Sequence, residues 1–277
     1  GMLDIIYEDG EIFVSYTEDR GDDKTSTSIA RGFIENDSFS KIENIFQSGS
    51  SWNNIHWGSR LMFKDNLLYA SIGERGYGSV AQDPTSYFGK MIRINKDGTA
   101  PMDNPYSMKE DWLPEIYQIG LRNPQGIMFY PNDSEIYITN HGPKGGDFFG
   151  KVEAGTNYGW ADVAWGGIDY DGSIIGDGSA WKEGLLKPIY TWIPSIAVSD
   201  MTFYGGDLFP ELKNKILVTS LKAQRLISLE FDGKKARNET TLFEKVGRVR
   251  DVETNSAGEI YVIIDNEDSG IWKLVNK

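Results

Sequence analysis

The sequence predicts an all-β protein, a β-propeller of four-stranded blades. A pattern of strand, polar turn and strand recurs five times, with Gly, Asn and Asp at the turns and Val, Ile, Tyr and Phe between them. No stretch has the apolar spacing of an amphipathic helix. The copies begin about 50 to 75 residues apart, at or above the period of propeller blades with long connecting loops.

The five copies follow one another along the chain. They are LDIIYEDGEIFVSY from Leu3, RLMFKDNLLYASIG from Arg60, GIMFYPNDSEIYITN from Gly126, a looser MTFYGGDLFPELKNKILVTSL from Met201, and VRDVETNSAGEIYVIID from Val249. A third strand is expected after several of them, in SIARGFI, GKMIRIN, RLISLEF and GIWKLV. The whole chain, residues 1–277, is expected to form a single propeller domain.

Composition excludes several classes of function. The net charge of -13 and the absence of a basic stretch argue against a nucleic-acid or anionic-membrane partner. A mean hydropathy of -0.41, with no long apolar run, argues against a membrane span. The chain has no cysteine, which excludes disulfides, thiol catalysis and thiolate metal sites.

The segment GLRNPQG places Arg122 and Asn123 side by side between two glycines. Glycine permits backbone angles that other residues resist, and Pro124 biases Asn123 away from helix. The segment is therefore expected to be a shaped loop rather than a strand interior. Loops on a rigid strand scaffold are common places for binding groups.

Eight motifs occur in the order of one family. They are HWGSRL with SIGERG, GKMIRINKDGTAPMDNP, GLRNPQG, HGPKGGD, NYGW, TWIPSIA, SLKAQRL and RVRDV. With them the chain resembles the soluble quinoprotein glucose/sorbosone dehydrogenases, propeller enzymes that oxidise aldose sugars with pyrroloquinoline quinone (PQQ). The resemblance implies a sugar dehydrogenase, periplasmic or extracellular, with PQQ and Ca²⁺ as cofactors.

The family has six blades, so five copies imply that about one N-terminal blade is missing. Gly1 before Met2 is interpreted as an expression-tag remnant. An open propeller would expose strand edges, which favours self-association.

The resemblance also implies a cofactor site. PQQ carries three carboxylates and two quinone oxygens, and the family motifs place around it Arg122, Asn123, Lys222, Arg248 and Arg250. Arginine suits this task because its planar fork holds an oxygen pair in two hydrogen bonds. The alternative is that these are surface cations paired with neighbours such as Asp251.

Catalysis is assigned by resemblance to His56, Glu74 and Arg122. His56 matches the general base that takes the proton of the sugar hydroxyl, a task suited to its ordinary pKa. Glu74 stands where the family usually has aspartate, as the partner of the base. The alternative is a structural hydrogen-bonding role, and His141 is interpreted as a loop-shaping or secondary residue.

HGPKGGD suggests a metal site. In the family, the carbonyls that here belong to Gly142 and Pro143 hold the calcium that also contacts PQQ, and calcium accepts backbone oxygens. The alternative is a simple glycine turn. Phe148 replaces the second acid of the family pattern after Asp147, which argues against a second calcium site.

Two other functions stay open at this stage. Ser59 and Asp200 also depart from the family pattern, so a quinone-free propeller acting as a binding module is an alternative. A calcium-dependent propeller hydrolase is a third, although no convincing carboxylate or serine constellation supports it. Neither the particular sugar nor the electron acceptor follows from the residues.

Overall fold

A computed structural model describes residues 1–267 and 269–275. These residues contain nineteen strands in five antiparallel sheets, each of which pairs strands that follow one another in the chain. The strands divide between two compact units. The first comprises Gly1–Pro124, Glu153–Val163 and Trp181–Leu186, and the second comprises Gln125–Val152, Ala164–Ala180 and Lys187–Lys277.

The first unit contains two four-stranded sheets. One has β1 (Met2–Glu8), β2 (Glu11–Asp19), β3 (Thr25–Glu35) and β4 (Ser38–Gln47). The other has β5 (Gly58–Lys64), β6 (Leu67–Ile72), β7 (Lys90–Ile94) and β8 (Ile116–Gln118). Apolar side chains from both sheets form one buried cluster, which includes Phe13, Ile29, Leu61, Leu68 and Ile92. A short 3₁₀ helix, Gly78–Gln82, lies between β6 and β7 in the chain.

The second unit contains the other three sheets. The strands are β9 (Pro124–Tyr130, whose first residue is assigned to the first unit), β10 (Glu135–Asn140), β11 (Asp147–Lys151) and β12 (Tyr190–Trp192). They are followed by β13 (Val198–Tyr204), β14 (Lys215–Ser220), β15 (Arg225–Phe231) and β16 (Ala236–Glu244). The last sheet has three strands within the described residues, β17 (Arg248–Thr254), β18 (Ile260–Asp265) and β19 (Gly270–Lys273). A second 3₁₀ helix spans Pro210–Leu212.

The five predicted hairpins are confirmed. They correspond to β1 with β2, β5 with β6, β9 with β10, β13 with β14, and β17 with β18, and the predicted third strands lie in β3, β7, β15 and β19. No amphipathic helix was expected, and the described residues contain two short 3₁₀ helices and no α-helix.

Two boundaries differ from the expectation. The loop of GLRNPQG ends at Asn123, because Pro124 begins β9, and proline is tolerated at the first residue of a strand. No third strand was predicted after GIMFYPNDSEIYITN, yet Asp147–Lys151 forms β11 between β10 and β12. Among the described residues, no helix has the length and apolar character needed to cross a bilayer.

Candidate active site and cation-bearing loops

His56 and Glu74 form a close pair in the first unit. The Nδ1 atom of His56 lies 2.5 Å from Oε1 of Glu74, whose side chain is 1% exposed. The second carboxylate oxygen, Oε2, accepts a 2.6 Å hydrogen bond from the backbone N–H of Gly78. Within the described part of the chain, Nε2 of His56 forms no hydrogen bond. A neutral His56 that donates Nδ1–H to Glu74 therefore carries its lone pair on Nε2, where it can accept a proton.

Backbone geometry explains how this pair comes so close. A Cβ at Gly73 would lie 2.0 Å from the carbonyl oxygen of His56. Only glycine therefore allows the chain after β6 to pack against residues 53–58, called here the histidine segment. His56 itself has a positive φ of 50°, a conformation uncommon for residues with a side chain. The surrounding contacts must therefore hold the segment in place.

Arg75 binds the backbone of the histidine segment. Its side chain is fully buried; Nε donates to the carbonyl of Ile55 at 2.9 Å, and Nη2 donates to the carbonyl of Asn53. The guanidinium carbon also lies 3.5 Å from the ring centroid of Trp57, a cation–π contact. Burial lowers the pKa of Arg75 to about 10. Arg75 thus contacts the residues on both sides of His56.

Arg122 and Asn123 lie beside the same pair. The backbone N–H of Glu74 donates to the carbonyl of Arg122 at 2.9 Å, and Oδ1 of Asn123 accepts a 3.1 Å hydrogen bond from the N–H of Gly58. The first unit therefore brings together His56, Glu74, Arg122 and Asn123. The sequence assigned Asn123 to the cofactor, whereas the structure shows its Oδ1 engaged with the histidine segment.

The Arg122 side chain packs against an aromatic ring. It is 5% exposed, and its guanidinium carbon lies 5.4 Å from the ring centroid of Trp160. Trp160 Nε1 is buried and has no hydrogen-bond partner among the residues that the structure describes. Buried N–H donors are rarely left unpaired, so the unsatisfied donor marks a place for an acceptor beside a cation.

Arg248 and Arg250, in the second unit, contact one carboxylate. Nη2 of Arg250 lies 2.9 Å from Oδ2 of Asp265, and Nε of Arg248 lies 3.4 Å from the same oxygen. The pairing register of β17 with β18 shifts between Val249 and Asp251, so Arg250 occupies a β-bulge. Arg250 also donates to Oε1 of Gln125 at 3.2 Å. The sequence left open that these arginines pair with neighbouring acids such as Asp251. Both arginines do pair with an acid, and that acid is Asp265.

Gly142 and Pro143 lie in a tightly folded, buried loop. A Cβ at Gly142 would lie 2.2 Å from the carbonyl oxygen of Gly145, so the turn requires glycine. The N–H of Gly142 donates to Oδ1 of Asp147 at 2.8 Å, and Asp147 is fully buried. The Oγ of Ser195 donates to the same carboxylate at 2.8 Å. Burial raises the pKa of Asp147, while the hydrogen bond from Ser195 opposes that rise.

Lys222 lines a pocket next to this loop. The pocket has a volume of about 410 Å³ and is lined by Lys144, Gly145, Gly166, Ile168, Ile193, Pro194 and Lys222. Two lysines beside apolar residues suit a ligand that carries a carboxylate. Gly142, Pro143 and Lys222 therefore belong to one region, and Arg248 and Arg250 are not among the residues that line its pocket.

Three acids form a separate group in the second unit. Carboxylate oxygens of Asp200, Asp251 and Glu253 all lie within 4.8 Å of one another. Asp200 is buried, and its Oδ2 accepts a 3.4 Å hydrogen bond from the N–H of Val252. The group could hold a metal ion. Sequence reasoning noted Asp200 only as a departure from the family pattern.

Several residues of the site were not singled out from the sequence. They are Arg75, Lys144, Trp160 and Ser195, which fall within SIGERG, HGPKGGD, NYGW and TWIPSIA. The one feature of the sequence that could have pointed to these residues is their position within the family motifs. Their contacts with residues distant in the chain, such as Asp147 with Ser195, are visible only in the fold.

Comparisons with known proteins identify the family and the fold of this chain. The family described as Glucose / Sorbosone dehydrogenase matches residues 1–273. Aldose sugar dehydrogenase YliI of Escherichia coli (strain K12) is 32% identical over 286 aligned residues, which cover 99% of this chain and 76% of that protein. A crystal structure of glucose dehydrogenase superposes with a TM-score of 0.96 at 28% identity, covering 100% of this chain and 83% of that one.

A further solved structure concerns the fold alone. The PQQ-bound form of an aldose sugar dehydrogenase from Streptomyces coelicolor has a TM-score of 0.77 at 21% identity, covering 96% of this chain and 75% of that chain. The predicted fold class, an all-β propeller with five blades in this chain, is confirmed. Fold and family matches together define a dehydrogenase of the propeller class.

The chain belongs to the glucose/sorbosone dehydrogenase family. The expectation that it is a sugar dehydrogenase, an oxidoreductase, is thereby confirmed at the level of the family.

Proposed function

We propose that the protein oxidises the hydroxyl-bearing carbon of an aldose sugar or a related alcohol with PQQ as cofactor, and that His56 is the general base. The observation that carries this proposal is the His56–Glu74 pair, which orients the imidazole and leaves Nε2 as the proton acceptor. Glu74 also stabilises the imidazolium that forms when His56 takes the proton. When bound, PQQ would accept the two electrons that leave the sugar.

The residues present fit a carboxylate-bearing quinone. Arg122 and the unpaired Nε1–H of Trp160 offer a cation and a donor side by side in the first unit. Lys222 and Lys144 offer two ammonium groups beside apolar walls in the second unit. Fixed cations of this kind are needed on a protein with a net charge of -13, because its average field repels an anion. Asn123, Arg248 and Arg250 belong to the proposed cofactor site by resemblance.

Calcium is the proposed metal, held by the carbonyls of Gly142 and Pro143. The buried carboxylate of Asp147 fixes the loop by accepting from Gly142 N–H, and Ser195 holds that carboxylate in turn. Such outer contacts orient metal ligands and raise affinity. An extracytoplasmic location, expected from the resemblance, belongs to the same proposal, and cell fractionation tests it.

The first test of the function is ligand-dependent stabilisation. A ligand that binds only the folded protein raises the melting temperature by mass action, so PQQ with Ca²⁺ should raise Tm and a chelator should remove the gain. Aldose-dependent reduction of a redox dye should then require PQQ. Folded protein that shows neither response would contradict the proposal.

One observation favours a second candidate, a quinone-free propeller that binds another ligand. Asp265 already neutralises part of the charge of Arg248 and Arg250, so these arginines do not need an anionic cofactor. This candidate predicts no change in Tm with PQQ and no dye reduction. The same titration therefore separates the two functions.

A further inference from the structure

Lys90 is a fully buried lysine at the start of β7. Its Nζ donates to the carbonyl of Val80 at 2.9 Å and to the carbonyl of Phe88 at 2.8 Å. Val80 belongs to the 3₁₀ helix Gly78–Gln82. A lysine side chain thus reaches from the sheet into this helix.

The helix begins at a residue that contacts the catalytic pair. The N–H of Gly78 donates to Oε2 of Glu74 at 2.6 Å, and Oε1 of Glu74 contacts His56. The other end of the helix has its own anchors. The carbonyl of Ala81 accepts from the N–H of Gly120 at 3.1 Å, and Nε2 of Gln82 donates to the carbonyl of Trp160 at 2.6 Å.

Gly89 lets this helix lie directly on the start of β7. A Cβ at Gly89 would lie 2.5 Å from the Cβ of Ala81 and 2.7 Å from the carbonyl oxygen of Leu121. The helix is therefore in van der Waals contact with the strand that carries Lys90. A change in the length or hydrogen bonding of residue 90 is transmitted to the helix, because packed backbone cannot absorb it.

We propose that Lys90 is a positioning residue: by holding the Val80 carbonyl it fixes the 3₁₀ helix, and through Gly78 it fixes Glu74 and the imidazole of His56. This inference rests on the proposed function only for its effect on turnover. Lys90 itself contacts neither His56 nor Glu74 in the described structure and acts through backbone.

The chemistry of the site supports this role over simple packing. An apolar residue at position 90 would leave the Val80 carbonyl with the N–H of Asp83, at 3.0 Å, as its remaining donor. It would also remove the lysine donor from the buried carbonyl of Phe88, and losing such a hydrogen bond is destabilising. Burial lowers the pKa of Lys90 to about 7, with the carboxylate of Asp83 opposing that effect. A buried ammonium group lowers the stability of the folded protein. A lysine at this position is therefore better explained by its hydrogen bonds to the 3₁₀ helix than by packing alone.

The test replaces the lysine and observes the histidine directly. The chain has two histidines, His56 and His141, so ring NMR signals of ¹³C-labelled histidine are assignable, and His141 serves as the internal reference. In cofactor-free Lys90→Met protein, the His56 signals should shift while those of His141 stay. Turnover at saturating PQQ should fall by on the order of a hundredfold, the usual effect of a misplaced catalytic group.

Lys96→Met is the matched control. Lys96 follows β7 and pairs with Asp9 at 2.8 Å, away from the 3₁₀ helix, so its loss should leave both readouts at the parental values. Lys90→Gln, which keeps a neutral donor on a shorter side chain, should give an intermediate shift and an intermediate loss. If Lys90→Met does not fold, Lys90→Gln decides the question by the same readouts.

A folded Lys90 variant with unchanged His56 signals and parental turnover would overturn the positioning role. The NMR readout needs neither PQQ nor sugar, so the two proposals can fail separately. A shift of His56 in a protein that never reduces the dye would support the positioning role and refute the proposed function.

Discussion

The Oδ1 atom of Asn123 accepts a 3.1 Å hydrogen bond from the backbone N–H of Gly58, two residues after His56. This bond ties the segment that carries Arg122 to the segment that carries the proposed base. Because the backbone N–H of Glu74 also donates to the Arg122 carbonyl, the same loop is bonded to Glu74 and to the segment that carries His56. Asn123 therefore supports the geometry of the base, whatever contact it makes with a cofactor.

Asn123→Ala tests that relationship. Loss of the Oδ1 acceptor should loosen the His56 segment, so turnover at saturating PQQ should fall by roughly tenfold, the effect of one lost hydrogen bond of about 1.4 kcal/mol. Asn123→Asp keeps the acceptor and should lose less. A tenfold weaker PQQ affinity with unchanged turnover would instead assign Asn123 to the cofactor alone.

Arg122→Ala should act mainly on cofactor binding. It removes a buried cation beside the unpaired Nε1–H of Trp160, so PQQ affinity should fall by on the order of tenfold to a hundredfold, as for a lost charge-assisted hydrogen bond. Fluorescence or calorimetric titration with PQQ measures the change. The control is Arg237→Ala, which removes an exposed arginine from β16 and should not alter affinity. Equal affinities for the two variants would exclude Arg122 from the cofactor site.

Ser195→Ala should weaken calcium binding. The hydroxyl donates to the Asp147 carboxylate, which holds Gly142 N–H, so its loss should relax the loop that presents the Gly142 and Pro143 carbonyls. A fall in Ca²⁺ affinity of about tenfold is expected, since outer contacts of metal ligands commonly contribute that much. Calorimetric titration with Ca²⁺ at saturating PQQ measures it, with exposed Ser256→Ala as the control.

Calcium could instead bind the acids Asp200, Asp251 and Glu253. In that case Ser195→Ala would bind Ca²⁺ with the parental affinity, and Asp200→Asn would bind it more weakly. The pair of variants therefore locates the ion.

The pKa of Lys90 predicts a pH dependence of stability. Burial lowers it from the ordinary value of 10.5 to about 7, so between these values the unfolded chain binds a proton that the folded protein releases. The free energy of unfolding should therefore rise with pH across this window, by at most about 1.4 kcal/mol per pH unit from this residue.

Urea unfolding at several pH values between about 7 and 10.5 measures the effect. In Lys90→Met the lysine contribution is absent, so the wild-type free energy minus that of the variant should increase with pH. A difference that stays constant across the window would show that Lys90 titrates normally in the folded protein.

The hairpins were predictable because their turns are encoded locally. Asp9 with Gly10 and Asp65 with Asn66 adopt the positive φ angles that short hairpin turns require, and the flanking residues alternate as strands do. The role of Arg75 was not predictable, because its partners Asn53 and Ile55 come from another segment. The alternation of apolar and polar residues along β17 also does not predict the β-bulge at Arg250. This bulge shifts the pairing of β17 with β18 between Val249 and Asp251.

The sequence could point to candidate site residues only where they lie in a family motif. The sequence placed Glu74 beside His56 by resemblance, and the two side chains are in contact. It could not place the Gly78 N–H on the second carboxylate oxygen, because that bond depends on how the 3₁₀ helix packs against Gly89. Long-range packing, rather than local propensity, decides such contacts.

His56 is proposed to take the proton while the sugar is oxidised with PQQ as cofactor. The most direct measurement is anaerobic stopped-flow mixing of the PQQ- and Ca²⁺-loaded protein with an excess of an aldose, following the quinone absorbance in one turnover. The wild-type protein should reduce the quinone, and His56→Ala should do so about a hundredfold to ten-thousandfold more slowly with PQQ still bound. Bound PQQ that no aldose reduces, or equal rates for the two proteins, would contradict the claim.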